Sequence, residues 1–148
     1  MYKKILVAID GSSVSDGALH AAFDLAKSMG ATVRIVHVVD EATFNWESEF
    51  VNPSEIWSAM AKSGQSLLEK AAAAGADAKI SVETRLIEIT SLGLRIPEVI
   101  QEEAATWPAD LIVVGTHGRR GLNHLLLGSV AEGIVRVSTK PVLLIRGK

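Results

Sequence analysis

The chain has 148 residues, of which 48% are hydrophobic and 22% are charged, a size and composition that suit one globular domain with a single core. Its formal net charge of −2 at pH 7 argues against a nucleic acid partner held by bulk electrostatics. The absence of cysteine excludes disulfides, thiolate zinc sites and thiol catalysis.

The first predicted element is a strand within "KKILVAID", whose nearly continuous apolar run is typical of a strand buried on both faces. The run ends at Asp10-Gly11 and is shorter than the roughly 7–15 residues of a signal-peptide core. Nothing in the sequence approaches the roughly 18 apolar residues of a membrane span. We therefore expect a cytoplasmic protein with no membrane partner.

A helix follows this strand. Ser13 and Asp16, three residues apart, resemble a capping box, and Gly30 is typical of a helix end. Apolar residues recur between them at spacings of three and four and form one helix face: Leu19, Ala22, Phe23 and Ala26. The segment "TVRIVHVV" then predicts a second strand.

The next segment, residues 39–52, is acidic and irregular. Asn52-Pro53 predicts a helix start with proline at the first position and Glu55 completing the cap. This helix is expected to run to about Gly75, and "ISVETRLIEI" predicts a third strand.

The remaining elements complete an alternating pattern. A helix opens at Pro97 and ends before Pro108, "DLIVVG" is a fourth strand, a helix covers roughly 130–138, and "PVLLIR" is a fifth strand. This alternation predicts an α/β fold, a doubly wound five-stranded parallel sheet with helices on both faces. Such sheets bind ligands at the carboxyl ends of their strands, at the topological switch point.

The segment "GTHGRRGLNHLLLGSV", residues 115–130, holds four glycines, two arginines and two histidines directly after the fourth strand. Ser129 and Glu132 fit a capping box, which makes Gly128-Ser129 the start of the final helix. A helix N-terminus presents free N–H groups and a partial positive charge, so this end suits an anion.

Other residues of this segment favour the same ligand. Gly115 and Gly118 let the backbone approach a ligand closely, and Arg119 and Arg120 add positive charge. The alternative to a phosphate site is that these glycines only form turns and that the arginines are only solvated loop charges. The Walker pattern is absent, and the spacing of these glycines does not match the Rossmann G-x-G-x-x-G pattern.

The spacing that is present, G-2x-G-9x-G-[ST], resembles the signature of the ATP-binding branch of the universal stress protein family. The resemblance extends to "KKILVAIDGS", "IVHVVD", "ADLIVVGTHGRRG" and "LLGSVAEGIVRVSTKPVLLIR", and thus to nearly all of residues 1–148. It implies a single domain with a Rossmann-like fold of the adenine nucleotide alpha-hydrolase-like type. It also implies a nucleotide-dependent sensor or regulator in stress response.

The resemblance assigns roles to individual residues. Asp10 would accept hydrogen bonds from the ribose hydroxyls, and Val38 would lie near the adenine and offer backbone groups to its edge. Gly115 and Gly118 would line the ribose and phosphates, and the helix start would hold phosphate oxygens through backbone N–H groups and the serine hydroxyl. The full implied set is Ile9, Asp10, Val38, Gly115, His117, Gly118, Arg119, Gly128, Ser129 and Val130.

The resemblance further implies ATP, or AMP or ADP, as the ligand, with Mg²⁺ or Mn²⁺ held mainly by the triphosphate. It implies a homodimer formed partly through the last strand, residues 141–146. That strand is apolar, and an exposed edge of this kind is normally paired or protected. The segment "ITSLGLRIPEVI" departs from the short Gly-x-Pro connection usual in the family, which leaves the shape of the base pocket open.

Two other functions compete with nucleotide binding. Slow ATP hydrolysis needs a transition-state cation, for which Arg119 is a candidate, and a group that positions water, for which no residue is convincing. A phospho-acceptor receiver domain would explain Lys140-Pro141 before the last strand, but it needs more carboxylates than Asp10 and Glu88 supply.

Simpler interpretations remain open for several residues. Asp10 could have no role beyond capping the turn after the first strand, since Asp-Gly-Ser is common in turns. His37 is expected to be a core histidine and His20 a surface one. His117 and His124 have no third ligand at a recognisable spacing, which argues against a protein-held zinc site.

Overall fold

The structure, a computed structural model, describes residues 2–40, 52–89, 93–117 and 127–147. Strands and helices alternate along these residues, as the sequence pattern predicts. The elements are β1 Lys4–Ala8, α1 Ser13–Met29, β2 Thr32–Asp40, α2 Pro53–Asp77, β3 Ser81–Ile89, α3 Ile96–Thr106, β4 Leu111–Gly115, α4 Ser129–Val137 and β5 Val142–Ile145. The expected doubly wound parallel sheet is confirmed.

The sheet has the strand order β3-β2-β1-β4-β5, and each neighbouring pair is parallel. The chain runs outward from β1 to β3 and then crosses back to β4, which places the topological switch point between β1 and β4. Receiver domains have the different order β2-β1-β3-β4-β5. The receiver alternative is therefore wrong.

Two apolar clusters cover the two faces of the sheet. The first lies under α1 and α2 and includes Ile5, Val7 and Phe23. The second lies under α3 and α4 and includes Leu6 and Ile134. Neighbouring β1 residues thus enter opposite clusters, as expected for a strand buried on both faces.

The start of α1 lies one residue earlier than the sequence pattern suggests. Ser12 is the N-cap, and its hydroxyl accepts a hydrogen bond from the Ser15 N–H at 3.2 Å, so the Ser13 capping box is wrong. The predicted end is confirmed, because Gly30 has the left-handed φ of 67°.

The start of α2 is confirmed, and its end is two residues later than expected. The Asn52 side chain accepts from the Ser54 N–H at 3.0 Å. The helix continues through Gly75, where the absence of a side chain serves packing rather than helix termination, since a Cβ there would collide with Cγ2 of Val82. The turn into β3 is instead made by Lys79, with φ 62°.

Candidate functional site

Open sheets of this topology have a crevice at the switch point, outside the carboxyl ends of the flanking strands, which are β1 and β4 in this protein. The register between these strands ends at Val7↔Val113, whereas β1 remains paired with β2 through Ala8↔Val36. Polar residues follow both strands, with Asp10 after β1 and Thr116 after β4. These two ends form the edge at which α/β sheets bind ligands.

Thr116 brings the N-terminus of α4 to the same edge. Its N–H donates to the Ile145 carbonyl at 2.8 Å, and its carbonyl accepts from the Gly128 N–H at 2.7 Å. Thr116 therefore links β4, β5 and α4. The sequence pattern does not single it out; the available signal is a small polar residue placed directly after an apolar strand.

The N-cap residue of α4 provides no side chain to close this helix end. It is Gly128, with φ −64° and ψ 158°, so among the described residues the first turn of α4 has no side-chain cap. The predicted Ser129–Glu132 capping box is wrong, because Ser129 is the first helical residue and Glu132 pairs with Arg136 at 2.7 Å. The helix start was predicted within one residue, but its cap was not.

The first turn of α4 leaves backbone donors at the crevice edge. The first intrahelical bond runs from the Glu132 N–H to the Gly128 carbonyl at 2.9 Å. The Gly128 N–H is taken by Thr116, so it is not available to a phosphate. The N–H groups of Ser129, Val130 and Ala131 precede the intrahelical ladder and are the donors that this helix end can offer an anion.

Asp10 shapes the turn after β1. Its Oδ1 accepts from the Ser12 N–H at 2.9 Å, and its own N–H donates to the Ser15 hydroxyl at 3.2 Å. Gly11 between them has φ 85°. The turn interpretation is thus confirmed, and it is compatible with ligand binding because an ionised carboxylate has about four acceptor positions.

Gly115 serves the packing of α1. A Cβ at this position would lie 2.6 Å from Cγ1 of Val14 and 3.3 Å from that residue's backbone carbonyl carbon. The backbone N–H and C=O of Gly115 point in a different direction from the missing Cβ. Since the N–H of Thr116 faces β5, strand alternation turns the N–H and C=O of Gly115 toward β1 and the crevice.

Val38 lies at the neighbouring strand end. The Val36 carbonyl accepts from the Ile9 N–H at 2.9 Å, so alternation turns the N–H and C=O of Val38 toward the same side, beyond the end of β1. The Val38 side chain packs on the α3/α4 side of the sheet. The partly buried apolar residues that pack on this face near the carboxyl edge are Ala8, Val38, Ile87, Ile96 and Val130.

Ile9 does not join them. Its side chain is 6% exposed and lies in the opposite cluster, under α1 and α2. Its N–H bonds to Val36, and its carbonyl accepts from Nδ1 of His37 at 2.8 Å. The structure thus gives Ile9 a core role. His37 has a hydrogen-bond partner, as expected, but it is half-buried and belongs to neither apolar cluster, so its expected place in the core is wrong.

His117 is half-buried, and its Nδ1 lies 3.0 Å from Oγ1 of Thr116. Gly118 and Arg119 belong to residues 118–126 and lie outside the described residues. The same holds for Arg120 and His124. His20 is exposed, as expected.

The described ranges contain no group of three or more His, Cys, Asp or Glu side chains arranged to hold a metal ion. None of the helices in these ranges is long and apolar enough to cross a membrane.

Comparison with known proteins identifies relatives over nearly the full chain. The model of the universal stress protein family matches residues 1–146. Universal stress protein YxiE of Bacillus subtilis is 37% identical, with 99% of this chain and 100% of the relative covered.

Solved structures of similar proteins share the fold. A universal stress protein family member from Burkholderia pseudomallei superposes with a TM-score of 0.79 at 32% identity, covering 99% of this chain and 97% of the other. The universal stress protein of Archaeoglobus fulgidus in complex with dAMP superposes with a TM-score of 0.68 at 25% identity, covering 98% of each chain.

Proposed function

Because the chain belongs to the universal stress protein family, we propose that it binds adenine nucleotides, ATP among them, and acts as a cytoplasmic nucleotide-dependent sensor or regulator in stress response. One observation carries the proposal. The ends of β1 and β4 and the open N-terminus of α4 meet at the switch point of the sheet. The dAMP complex of the Archaeoglobus relative supports the choice of an adenine nucleotide.

In this proposal the base lies on the α3/α4 side of the carboxyl edge. The apolar side chains there provide a surface for a purine ring, and the backbone of Val38 offers a donor and an acceptor to its edge. The ribose hydroxyls donate to the Asp10 carboxylate, whose direction is fixed by its bond to the Ser12 N–H.

The phosphates lie against the first turn of α4. The N–H groups of Ser129 and Val130, with the Ser129 hydroxyl, donate to phosphate oxygens, and the helix dipole favours their negative charge. Gly118 and Arg119 complete this part of the proposed site. Mg²⁺ or Mn²⁺ would be bound by the triphosphate itself, where it would neutralise phosphate charge.

Binding is preferred over hydrolysis as the conclusion. Slow hydrolysis depends on Arg119, which lies outside the described residues, and the described residues offer it no specific support. ADP and AMP fit the same base and ribose contacts as ATP and differ in what they place at α4.

The experiment that tests this proposal is Gly128→Val. The φ of −64° and ψ of 158° at Gly128 are open to any residue, so valine introduces no backbone strain there. Its branched side chain would enter the space before the helix N–H groups. We expect calorimetric ATP binding to be lost and AMP binding to fall less, since only the distal phosphates reach α4.

The matched control is Leu127→Val, which places the same side chain at the neighbouring, exposed position. It should bind ATP as the parent does. Circular dichroism must show both variants folded. A folded Gly128→Val protein with parental ATP affinity would contradict the proposed phosphate site.

We also propose that the protein is a homodimer formed partly through β5. This strand lies at the edge of the sheet, and its four residues are all only half-buried. Val135 and Val137 on the adjacent α4 are exposed as well, Val135 by 49%. Exposed apolar edges of this kind are normally paired.

The substitution Leu144→Lys should shift the mass measured by light scattering toward the monomer. Thr84→Lys, on the opposite edge strand β3, is the control and should leave the mass unchanged. A folded Leu144→Lys protein that keeps a dimer mass would exclude this edge as the interface.

A further inference from the structure

The hydrogen-bond ladder between β1 and β2 ends at a histidine side chain. The Ile9 N–H still donates to the Val36 carbonyl at 2.9 Å, and the next bond of a parallel ladder would join the Val38 N–H to the Ile9 carbonyl. That carbonyl instead accepts from Nδ1 of His37 at 2.8 Å, and no backbone donor of the described residues bonds to it. The regular pairing accordingly stops at Ala8↔Val36.

The direction of this bond and the place of the ring are both fixed. A carbonyl oxygen has no proton to give, so Nδ1 of His37 is the donor. Gly64 of α2 lies directly over the ring, since a Cβ at this glycine would lie 2.6 Å from Cδ2 of His37 and 2.9 Å from Cδ1 of Leu86. The imidazole is therefore held between α2 and the sheet, with its Nδ1–H against the end of β1.

We propose that His37 is a positioning residue of the nucleotide site, which takes the Ile9 carbonyl and thereby leaves the Val38 N–H to a ring nitrogen of the adenine base. The inference rests on the proposed function, because that function places the base against the backbone of Val38. His37 itself does not contact the nucleotide, since its ring lies under α2 and the base lies on the opposite face of the sheet.

The chemistry follows from the supply of donors and acceptors at this strand end. Ring nitrogens of adenine accept hydrogen bonds, so the base needs an N–H donor from the protein. The Val38 N–H points past the end of β1, where the Ile9 carbonyl is its nearest ladder partner. A buried carbonyl is normally hydrogen-bonded, so without an imidazole donor the Ile9 carbonyl would pair with the Val38 N–H and compete with the base for it.

The test compares His37→Leu with His37→Asn. Leucine fills the space under α2 and has no donor, whereas the side-chain amide of asparagine can place an N–H close to the position of Nδ1. Two quantities are measured: ATP affinity by calorimetry, and the hydrogen-exchange rate of the Val38 amide by NMR in nucleotide-free protein.

We expect His37→Leu to weaken ATP binding about fivefold, as for the loss of one hydrogen bond, and to slow exchange of the Val38 amide by a similar factor as it joins the ladder. His37→Asn should restore both values. In the parent, ATP should itself slow exchange of this amide. His37→Met replaces the leucine variant if circular dichroism shows the latter unfolded.

The matched control is His20→Leu. Nδ1 of His20 also lies close to a backbone carbonyl, that of Asp16 at 2.7 Å, but on the exposed side of α1. Loss of this bond should change neither ATP affinity nor exchange at Val38.

Three results would overturn the proposal: a parental exchange rate of the Val38 amide in His37→Leu, slower exchange with parental ATP affinity, or changes that asparagine does not reverse. Failure of the proposed function looks different. In that case the parent protein itself does not bind ATP, while exchange at Val38 in nucleotide-free protein still reports whether His37 ends the ladder.

Discussion

Toward the amino end of the sheet, charged side chains bond to one another, whereas at the carboxyl end backbone bonds hold the polar residues in place. Near the amino end, Glu103 is 7% exposed and accepts from Arg34 at 2.7 Å and from Arg85 at 3.1 Å. At the carboxyl end, Thr116 and Gly128 bond through their backbones and leave the first-turn donors of α4 at the edge. At the amino end the charged side chains bond to one another, although the buried Nε of Arg34 finds no hydrogen-bond partner among the described residues. At the carboxyl end, the first-turn donors of α4 are the groups that the proposed function assigns to a ligand.

Aromatic packing reinforces the amino end. The Arg34 guanidinium lies 4.8 Å from the ring centroid of Trp107, and Lys4 Nζ lies 5.3 Å from it. The Trp107 indole N–H donates to Glu83 at 3.1 Å, and Arg34 bonds to the same carboxylate at 3.0 Å. Such a network joins β1, β2, β3 and the end of α3, so we assign it to stability. Substitutions at this end should change unfolding and leave nucleotide affinity alone.

The largest effect is expected for Glu103→Ala. Removing this buried carboxylate takes one partner from Arg34, which keeps Glu83, and the partner of the exposed Arg85. Since hydrogen bonds to charged groups contribute about 1.5–3 kcal/mol, we expect a loss near the upper end of that range. Urea unfolding measures the loss. ATP affinity of the folded variant should remain parental, because the network lies away from the crevice.

Glu102→Ala is the matched control, since Glu102 is exposed one position earlier on the same helix. It should change the free energy of unfolding by less than about 0.5 kcal/mol. If the two variants are equally stable, the buried network does not hold this end of the sheet together.

A smaller effect is expected for Asp110→Ala. Oδ2 of Asp110 accepts from the backbone N–H groups of Lys3 and Lys4, at 2.8 and 2.9 Å. Alanine leaves both donors at the start of β1 without this acceptor, at a cost of about 1–2 kcal/mol. Urea unfolding at neutral pH should show this loss with ATP affinity unchanged.

The pH dependence of the free energy of unfolding, compared between the parent and Asp110→Ala, tests whether the charge of this carboxylate is the source of the stability. Hydrogen bonds from the Lys3 and Lys4 backbone hold the pKa of Asp110 below its ordinary value, and the charges of Lys140 and Lys4 lower it further. A carboxyl group whose pKa is lower in the folded than in the unfolded protein stabilises the fold at pH values above its unfolded-state pKa. This stabilisation is lost as the pH falls through the folded-state pKa. The difference between parent and variant should therefore shrink below about pH 4. A difference independent of pH in that range would exclude the carboxylate charge as its source.

The two ends also differ in how far the sequence predicts them. The strands are predicted almost to the residue, because a strand buried on both faces leaves a run such as "ILVAI" in the sequence. The helix start at Asn52 follows from its cap residue and Pro53, whereas the start of α4 is predicted within one residue although its cap is not. The position of the ligand-binding edge, at the carboxyl ends of the strands, can be predicted from the alternation of strands and helices alone.

Tertiary contacts account for what the sequence did not predict. The Ser129 capping box failed because Gly128 bonds to Thr116, twelve residues earlier in the chain. The glycine at 115 suggested a ligand, but Val14 of α1 occupies the space beside it. The network around Glu103 joins residues that are far apart in sequence, and periodicity carries no information on such contacts.

The smallest effect, and the one that bears most directly on the carboxyl end, is expected for Asp10→Asn. The side-chain carbonyl of asparagine can still accept from the Ser12 N–H, so the turn after β1 should survive with little loss of stability. What changes is the charge and the second oxygen, which the proposed function assigns to the ribose hydroxyls. A charged hydrogen bond is stronger than a neutral one, so ATP affinity should fall about tenfold, which corresponds to about 1.4 kcal/mol. Asp16→Asn makes the same change at an exposed position in the first turn of α1 and should bind ATP as the parent does. Equal calorimetric affinities for all three proteins would limit Asp10 to its turn, and the carboxyl end would then resemble the amino end in using its carboxylate for the fold alone.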